Sequence, residues 1–322
     1  MEKIAVFTSG GDSPGMNACI RAVVRTGLKL GLEIVGIRQG YEGMIDGNFF
    51  NMGHRSVSNI IHQGGTILQS ARSDRFRTPE GRKLAYDQLK KAGIEGIVAI
   101  GGDGTFTGAD IFTKEHDIPF VGVPGTIDND LYGTDYTIGY DTAINTAMEA
   151  IDKIKDTANA HNRLFFIEVM GRDAGFIALR SGIATGAEAV LIPESSTDTE
   201  DLIRMLELNE KKRKRANIIV VAEGDQEGGA FGIAEIIKKR FPYFETKVTI
   251  LGHVQRGGSP TCMERVMASR MGMEAVKALL DGKRSVMVGQ VHNDIVFTPF
   301  EQAIKYNQEL NPVLMEMVEM LA

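Results

Sequence analysis

GIVAIGGDGTFTGADIF, residues 96–112, joins a continuous apolar run to a glycine-bearing turn and then to the segment ADIFTKEHD. A short apolar run that ends in glycine reads as a strand covered on both faces, as in a parallel sheet flanked by helices. The turn resembles those that bring backbone N–H groups to a phosphate. It also carries a carboxylate, Asp103, among its glycines. That charge repels an anion unless a cation sits between them.

The same grammar repeats outward from this segment. IAVFTS (4–9), EIVGI (33–37) and FVGVPG (120–125) are further apolar runs, and FVGVPG again ends in glycine. Beyond Ser13-Pro14, residues Ile20, Val23, Val24 and Leu28 recur on one helical face, and TPEGRKLAYDQLKKAG (78–93) has Pro79 near its start and Gly93 near its end. In AINTAMEAIDKIKD (143–156), Ile144, Met148, Ile151 and Ile154 are in helical register. RLFFIEVMG, AVLIPE, NIIVVAEG and KVTILGHVQRGG continue the alternation. The pattern predicts an α/β fold with mainly parallel sheets, and in such sheets ligands bind outside the carboxyl ends of the strands.

The 322 residues suit two domains, and 43% hydrophobic with 24% charged side chains is ordinary for a globular protein. A net charge of −6 argues against a nucleic-acid or anionic-membrane partner. The two cysteines, Cys19 and Cys262, form no CxxC pair, and each sits in a helical apolar pattern that reads as core. The start MEKIAVFTSGG lacks a signal peptide's apolar stretch, and no run approaches a membrane span, so a cytoplasmic protein is expected.

Several turns could carry chemistry. TSGGDSPGMNA (8–18) has the GxxxxG spacing of a P-loop, but Met16-Asn17 stands where Lys-Ser/Thr should follow. Gly102, Gly104 and Gly108 come within one residue of GxGxxG, and Asp128 lies where a ribose-binding acid would be. Asp130 is then a surplus carboxylate that dinucleotide binding leaves unexplained. Asp103, Asp128 and Asp130 at neighbouring strand ends point to Mg²⁺ held by carboxylate and phosphate oxygens, with a second carboxylate able to take a proton from a hydroxyl. Capped turns are the plainer alternative. MGRDAG (170–175) and LGHVQRGGSP (251–260) add Arg172, His253 and Arg256 at strand ends. Guanidinium forks suit phosphate oxygens.

TSGGDSPGMNA, GGTILQSAR, IGGDGT, PGTIDND, VMGRDAG, VAEG and LGHVQRGGSP together resemble the bacterial 6-phosphofructokinase family in order and approximate spacing over nearly the whole chain. PGTIDND with LGHVQRGG is very specific, whereas GGDGT also occurs in lipid and NAD kinases. The resemblance implies two three-layer α/β/α, Rossmann-like domains with the active site in the cleft between them. One would comprise 1–138 plus about 255–305 and bind ATP; the other, about 139–254 plus 306–322, would bind the sugar phosphate. It implies transfer of the ATP γ-phosphoryl group to the 1-hydroxyl of fructose 6-phosphate with Mg²⁺.

In that resemblance Asp128 is the general base, Thr126 positions the substrate, and Arg172 with Arg72 stabilises the transferring phosphoryl group. Gly11, Arg72, Ser73, Gly102, Asp103, Gly104 and Thr105 line the ATP site, with Asp103 toward Mg²⁺. The sugar-phosphate set comprises Thr126, Ile127, Asp128, Met170, Gly171, Arg172, Glu223, His253, Val254, Gln255 and Arg256. Arg163 and Lys247 would reach the 6-phosphate across a subunit interface. Relatives usually carry Arg at the position of Lys247.

The family is typically a homotetramer with an effector site between subunits, activated by ADP and inhibited by phosphoenolpyruvate. Here Arg21, Arg25, His54, Arg55, Ser58, Lys155, Gly186, Glu188, Lys212 and Lys214 fall at or near the matching positions. Lys155 replaces a common Arg, and His54-Arg55 is shifted relative to the family's pattern. KKRKR (211–215) also reads as a solvated helix end. The nearest rival is a pyrophosphate-dependent phosphofructokinase, which commonly has Asp at position 104 and Lys at position 125. Both are glycine here. An NAD-dependent oxidoreductase and a non-enzymatic sugar-phosphate sensor fit the acidic residues less well.

Overall fold

The computed structural model describes residues 1–159, 163–195, 199–211, 218–224 and 228–321. The chain begins β1 (Lys3–Thr8), α1 (Met16–Lys29), β2 (Glu33–Ile37), α2 (Gly40–Asp46), β3 (Phe49–Met52) and α3 (Pro79–Lys91). It continues β4 (Gly96–Gly101), α4 (Asp103–Glu115), β5 (Phe120–Thr126), β6 (Ile138–Gly139), α5 (Tyr140–Asn159), β7 (Arg163–Val169) and α6 (Phe176–Thr185). Then follow β8 (Ala189–Leu191), α7 (Thr199–Lys211), β9 (Ile218–Ala222), α8 (Gly229–Arg240) and β10 (Glu245–Ile250). The remainder is α9 (Cys262–Leu280), β11 (Val286–Val291), β12 (Asp294–Pro299), α10 (Phe300–Lys305) and α11 (Pro312–Leu321).

These elements form two compact units. The first comprises Met1–Ile127, Leu131–Thr142 and Arg256–Gln308; the second comprises Asp128–Asp130, Ala143–Gln255 and Glu309–Ala322. The first holds a sheet ordered β12-β11-β5-β4-β1-β2-β3, with β6 paired to the end of β5. Its centre is parallel, and only β3 and β12 run antiparallel to their neighbours. Alternation along β1 explains the three layers. Ile4 and Val6 pack with Ile20, Val23 and Met271 of α1 and α9. Ala5 and Phe7 face Met44, Ala85, Leu89 and Phe106 of α2, α3 and α4.

The second unit has an all-parallel sheet, β10-β7-β9-β8. Leu164, Phe166, Ile219 and Val221 bury against Leu202, Leu206, Ile233 and Ile237 of α7 and α8. The α/β reading of the sequence therefore holds. Among the described residues no helix is long and apolar enough to cross a membrane.

Helix starts follow local chemistry. Thr78 caps α3 by accepting from Gly81 N at 3.1 Å, with Pro79 at the first helical position. The sequence put both cysteines in the core. Cys19 is buried there, but Cys262 is exposed. The buried stripe of α9 starts two residues later, at Glu264, and runs through Met267, Ala268 and Met271.

Arg82 ties α3 to α4. It is 6% exposed, donates Nε and Nη2 to Glu115 at 2.6 Å each, and gives Nη1 to the carbonyls of Phe76 and Arg77. Arg82→Ala should cost about 2–3 kcal/mol, below the value of a fully buried pair because Glu115 stays partly wet. Urea unfolding checks this, and an unchanged midpoint would contradict it.

Candidate active site

Three segments of the first unit meet at the carboxyl ends of β1 and β4. After β1, Ser9 N donates to Ile100 O at 3.0 Å, which fixes the start of the turn. Gly10 (φ 84°) and Gly15 (φ 99°) have left-handed backbone, so the chain can fold back before α1. Gly11 is exposed at the crest. A Cβ there would lie 2.7 Å from Nη1 of Arg256, which also donates to Asp12 O at 3.3 Å. Arg256 thus lies against the first glycine turn.

The GGTILQSAR segment is held beside that turn by polar contacts. Asn17, 1% exposed, donates to Gln63 O and Gly64 O and accepts from Ile67 N at 2.8 Å. Thr8 Oγ1 donates to Gln69 O at 2.9 Å. The segment leads to Arg72, which is exposed, and to Ser73, whose hydroxyl donates to Glu42 and accepts from Phe76 N. Asn17 was not singled out in the sequence. Its burial, visible only in the fold, is what marks it as a support.

Next comes the second glycine turn. Gly102 is the N-cap of α4, Asp103 is its first residue, and Thr105 is buried with its carbonyl accepting from the Tyr41 hydroxyl. A carboxylate at a helix N-terminus is favoured by the helix dipole even without a ligand. Asp103 is exposed, and a Cβ on Gly104 would meet nothing within 4 Å. Among the described residues no three His, Cys, Asp or Glu side chains are grouped to hold a metal ion. That agrees with an ion held by one or two carboxylates and otherwise by phosphate oxygens, as the sequence reading has it. Asp103 fits Mg²⁺ as a lone carboxylate that leaves the other positions to phosphate and water oxygens.

β5 ends at Thr126, whose carbonyl accepts from Thr137 Oγ1 at 2.6 Å. Gly125 is closely packed: a Cβ would lie 3.0 Å from both Ile100 Cγ2 and Met16 Cε, which would have to give way by a few tenths of an ångström. Close packing thus favours glycine at 125 independently of the phosphoryl donor. Ile127 is fully buried, and Asp128 and Asn129 are 2% and 3% exposed. Asn129 is left-handed at φ 56°, which turns the chain sharply after Asp128.

In the second unit the ends of β7 and β9 form a further turn. Gly171 (φ 147°) and Arg172 (φ 54°) lie in the region that favours glycine, an uncommon place for an arginine. Glu223 offsets the cost: its Oε1 accepts from Gly171 N at 3.3 Å and Arg172 N at 2.7 Å. Gln255 is fully buried, accepting from Met170 N at 3.3 Å and donating to Gly252 O at 3.0 Å. Its amide faces inward and supports Met170, while His253 and Val254 are exposed.

Arg163 and Lys247 lie on neighbouring strands and share Glu245. Arg163 Nε is 3.0 Å from Oε2, and Lys247 Nζ is 2.8 Å from Oε1. Hydrogen bonds from Lys247 and then Arg163 hold the Glu245 carboxyl down at about 2. An incoming phosphate would therefore compete with one carboxylate for two cations.

The expected effector residues fall in both units. Arg21 and Arg25 project from α1, half-buried and exposed respectively, while His54, Arg55 and Ser58 are exposed around a 3-10 turn at 54–57. Lys155 Nζ donates to the carbonyls of Thr185 (2.6 Å) and Gly186 (3.3 Å) at the end of α6, a favourable place for a cation. Glu188 Oε2 accepts from Ile218 N at 2.8 Å. Lys212 and Lys214 lie outside the described residues.

Comparison with known proteins gives this geometry a context. The phosphofructokinase family model matches residues 3–279. The ATP-dependent 6-phosphofructokinase of Cytophaga hutchinsonii is 57% identical over 321 residues, covering 100% of this chain and 98% of that protein. ATP-dependent 6-phosphofructokinase 1 of Thermus thermophilus is 56% identical over 322 residues and covers 100% of both. Among solved structures, phosphofructokinase from Saccharomyces cerevisiae superposes with a TM-score of 0.88 at 38% identity. That match takes in 100% of this chain and 47% of the yeast chain. The fold, the succession of turns and these full-length matches agree: the chain belongs to the phosphofructokinase family.

Proposed function

We propose that this protein transfers the γ-phosphoryl group of ATP to the 1-hydroxyl of fructose 6-phosphate. The observation that carries the reading is 56–57% identity, over the full length, to proteins named ATP-dependent 6-phosphofructokinase. Asp128 accepts the proton of the attacking hydroxyl, and Thr126 holds the acceptor in line. Arg72 and Arg172 neutralise charge that builds on the moving phosphoryl group. Backbone N–H groups at Gly11 and residues 102–104 cradle the donor phosphates, with Thr105 beside them. Asp103 would hold Mg²⁺, which offsets phosphate charge when bound. The openness around Gly104 supports ATP as donor.

An assay with fructose 6-phosphate and either ATP or pyrophosphate as sole donor tests this. Turnover with ATP is expected; turnover with pyrophosphate alone would replace the reading with its rival. We also assign a homotetramer regulated by ADP and phosphoenolpyruvate. Identical hyperbolic curves against fructose 6-phosphate with and without either effector would remove the regulatory part.

Lys247 is the second point of test. Lysine keeps the charge that relatives place there but lacks arginine's fork. Lys247→Arg is expected to lower KM for fructose 6-phosphate roughly two- to tenfold, by offering a bidentate contact to the 6-phosphate. An unchanged KM would show that residue 247 does not grip it.

A further inference from the structure

A buried carboxylate that the reaction does not use lies beneath the first of these turns. Glu264, in the first turn of α9, is fully buried. Its Oε2 accepts from both Thr142 N and Thr142 Oγ1 at 3.2 Å. Thr142 lies in the first turn of α5, where backbone N–H groups have no partner within their own helix. Glu264 thus serves α5 as an N-terminal acid supplied by another helix, an arrangement that favours the ionised carboxylate. Thr261, the N-cap of α9, donates to Asp141 and accepts from Glu264 N at 3.1 Å. The two helix starts are laced together.

The Glu264 side chain also packs under the first glycine turn and beside β6. A Cβ on Gly15 would lie 2.9 Å from Glu264 Cγ and 2.9 Å from Ile138 Cγ2. Ser13 Oγ donates to Ile138 O at 2.8 Å. Ile138 and Gly139 form β6, which pairs with Gly125 and Thr126 at the end of β5, two residues before Asp128. A shift at Glu264 would be felt at the first turn and at the backbone leading into the base.

We propose that Glu264 is a positioning residue for phosphoryl transfer, fixing both the Ser13–Gly15 turn and, through β6, the Gly125–Thr126 backbone. The assignment rests on the reaction proposed above. The ionised form is the one that holds the site, since its neighbours are donors. Burial pushes the Glu264 carboxyl up to about 7; the N–H groups of Gly139 and Thr142 oppose this, and the charge of Asp141 adds to it. Gly15 and Ile138 against it are neutral, and the guanidinium of Arg265, next along α9, donates to Pro260 O and Ser259 Oγ. Protonation therefore loosens the tie as pH falls through 7.

Folding stability runs the other way. A carboxyl whose folded pKa lies above its ordinary 4.5 binds an extra proton in the folded state between those values, so its stabilisation is lost as pH rises through 7. The test compares kcat and Tm across pH 6–8.5 for the wild type and Glu264→Gln, at saturating ATP and fructose 6-phosphate. The wild type is expected to lose kcat below pH 7 along a one-proton limb. Glu264→Gln should lack that limb, with kcat roughly tenfold lower at pH 8 and KM nearly unchanged. Its Tm should gain on the wild type as pH rises.

A limb retained in Glu264→Gln, or wild-type kcat in that variant, overturns the proposal while leaving the reaction intact. No turnover by the wild type overturns the reaction itself, and this proposal with it. If Glu264→Gln does not fold, Thr142→Val removes one donor to the carboxylate and should move the limb upward by roughly half a pH unit. A limb that stays in place overturns the assignment.

Discussion

Asp128→Ser is expected to give a folded protein whose kcat is lower by roughly 10²–10⁴-fold, with a much smaller change in KM. The loss corresponds to about 2.7–5.5 kcal/mol of transition-state stabilisation, the range of a positioned general base. The split between kcat and KM follows from the role. A base acts while the hydroxyl proton is in transit, and ground-state binding of the sugar phosphate is shared among other residues. Asp128 is 2% exposed, so the substitution must be judged against stability as well. Serine is smaller and neutral, which relieves the burial of a charge, and thermal unfolding should show a fold that survives. Turnover near that of the wild type in such a protein would remove Asp128 from the mechanism.

Much of the fold was legible because a buried parallel strand leaves a plain trace. EIVGI at 33–37 coincides with β2, and the runs at 4–9, 96–102 and 120–125 match β1, β4 and β5 to within a residue or so. Each is covered on both faces, so nearly every position is apolar. The strands β3, β11 and β12 were missed. β3 is an edge strand and largely half-exposed, and β12 carries a mixed pattern of the same kind. A half-wet strand alternates too briefly to stand out. Cys262 failed for a different reason: apolar character at a helix start does not fix which face is inward. In α9 a glutamate opens the buried stripe.

The site was legible as motifs but not as support. GGDGT and PGTIDND stand out because few chains place glycines and acids so densely. Asn17, Glu223 and Gln255 hold turns through hydrogen bonds to distant backbone, as Asn17 does across 46 to 50 residues. Sequence spacing does not encode such contacts. Glu264 carried one local signal, Thr261-x-x-Glu264, which has the form of a capping box. The side chain leaves its own helix end and serves α5 instead.

Gly104→Asp is expected to keep the fold and to lower kcat/KM for ATP by roughly 10²-fold while sparing KM for fructose 6-phosphate. The argument starts from what the protein itself requires at this position. A Cβ on Gly104 meets nothing within 4 Å, in contrast to Gly125, whose Cβ would press on Ile100 and Met16. Residue 104 lies in the first turn of α4, where an added acid is stabilising by about 0.3–1 kcal/mol and replacing glycine favours the helix. Unfolding should therefore show equal or slightly greater stability. The absence of a side chain at 104 then serves something outside the chain. In the proposed reaction that is the α-phosphate of ATP, and two like charges about 4 Å apart repel by about 4 kcal/mol at an effective dielectric near 20. Solvent and Mg²⁺ would absorb part of this, which leaves roughly 10²-fold. ADP carries the same phosphate, so its affinity should fall in parallel, while pyrophosphate lacks it. A stable Gly104→Asp protein with unaltered kcat/KM for ATP and unaltered ADP affinity would show that the donor does not pass residue 104.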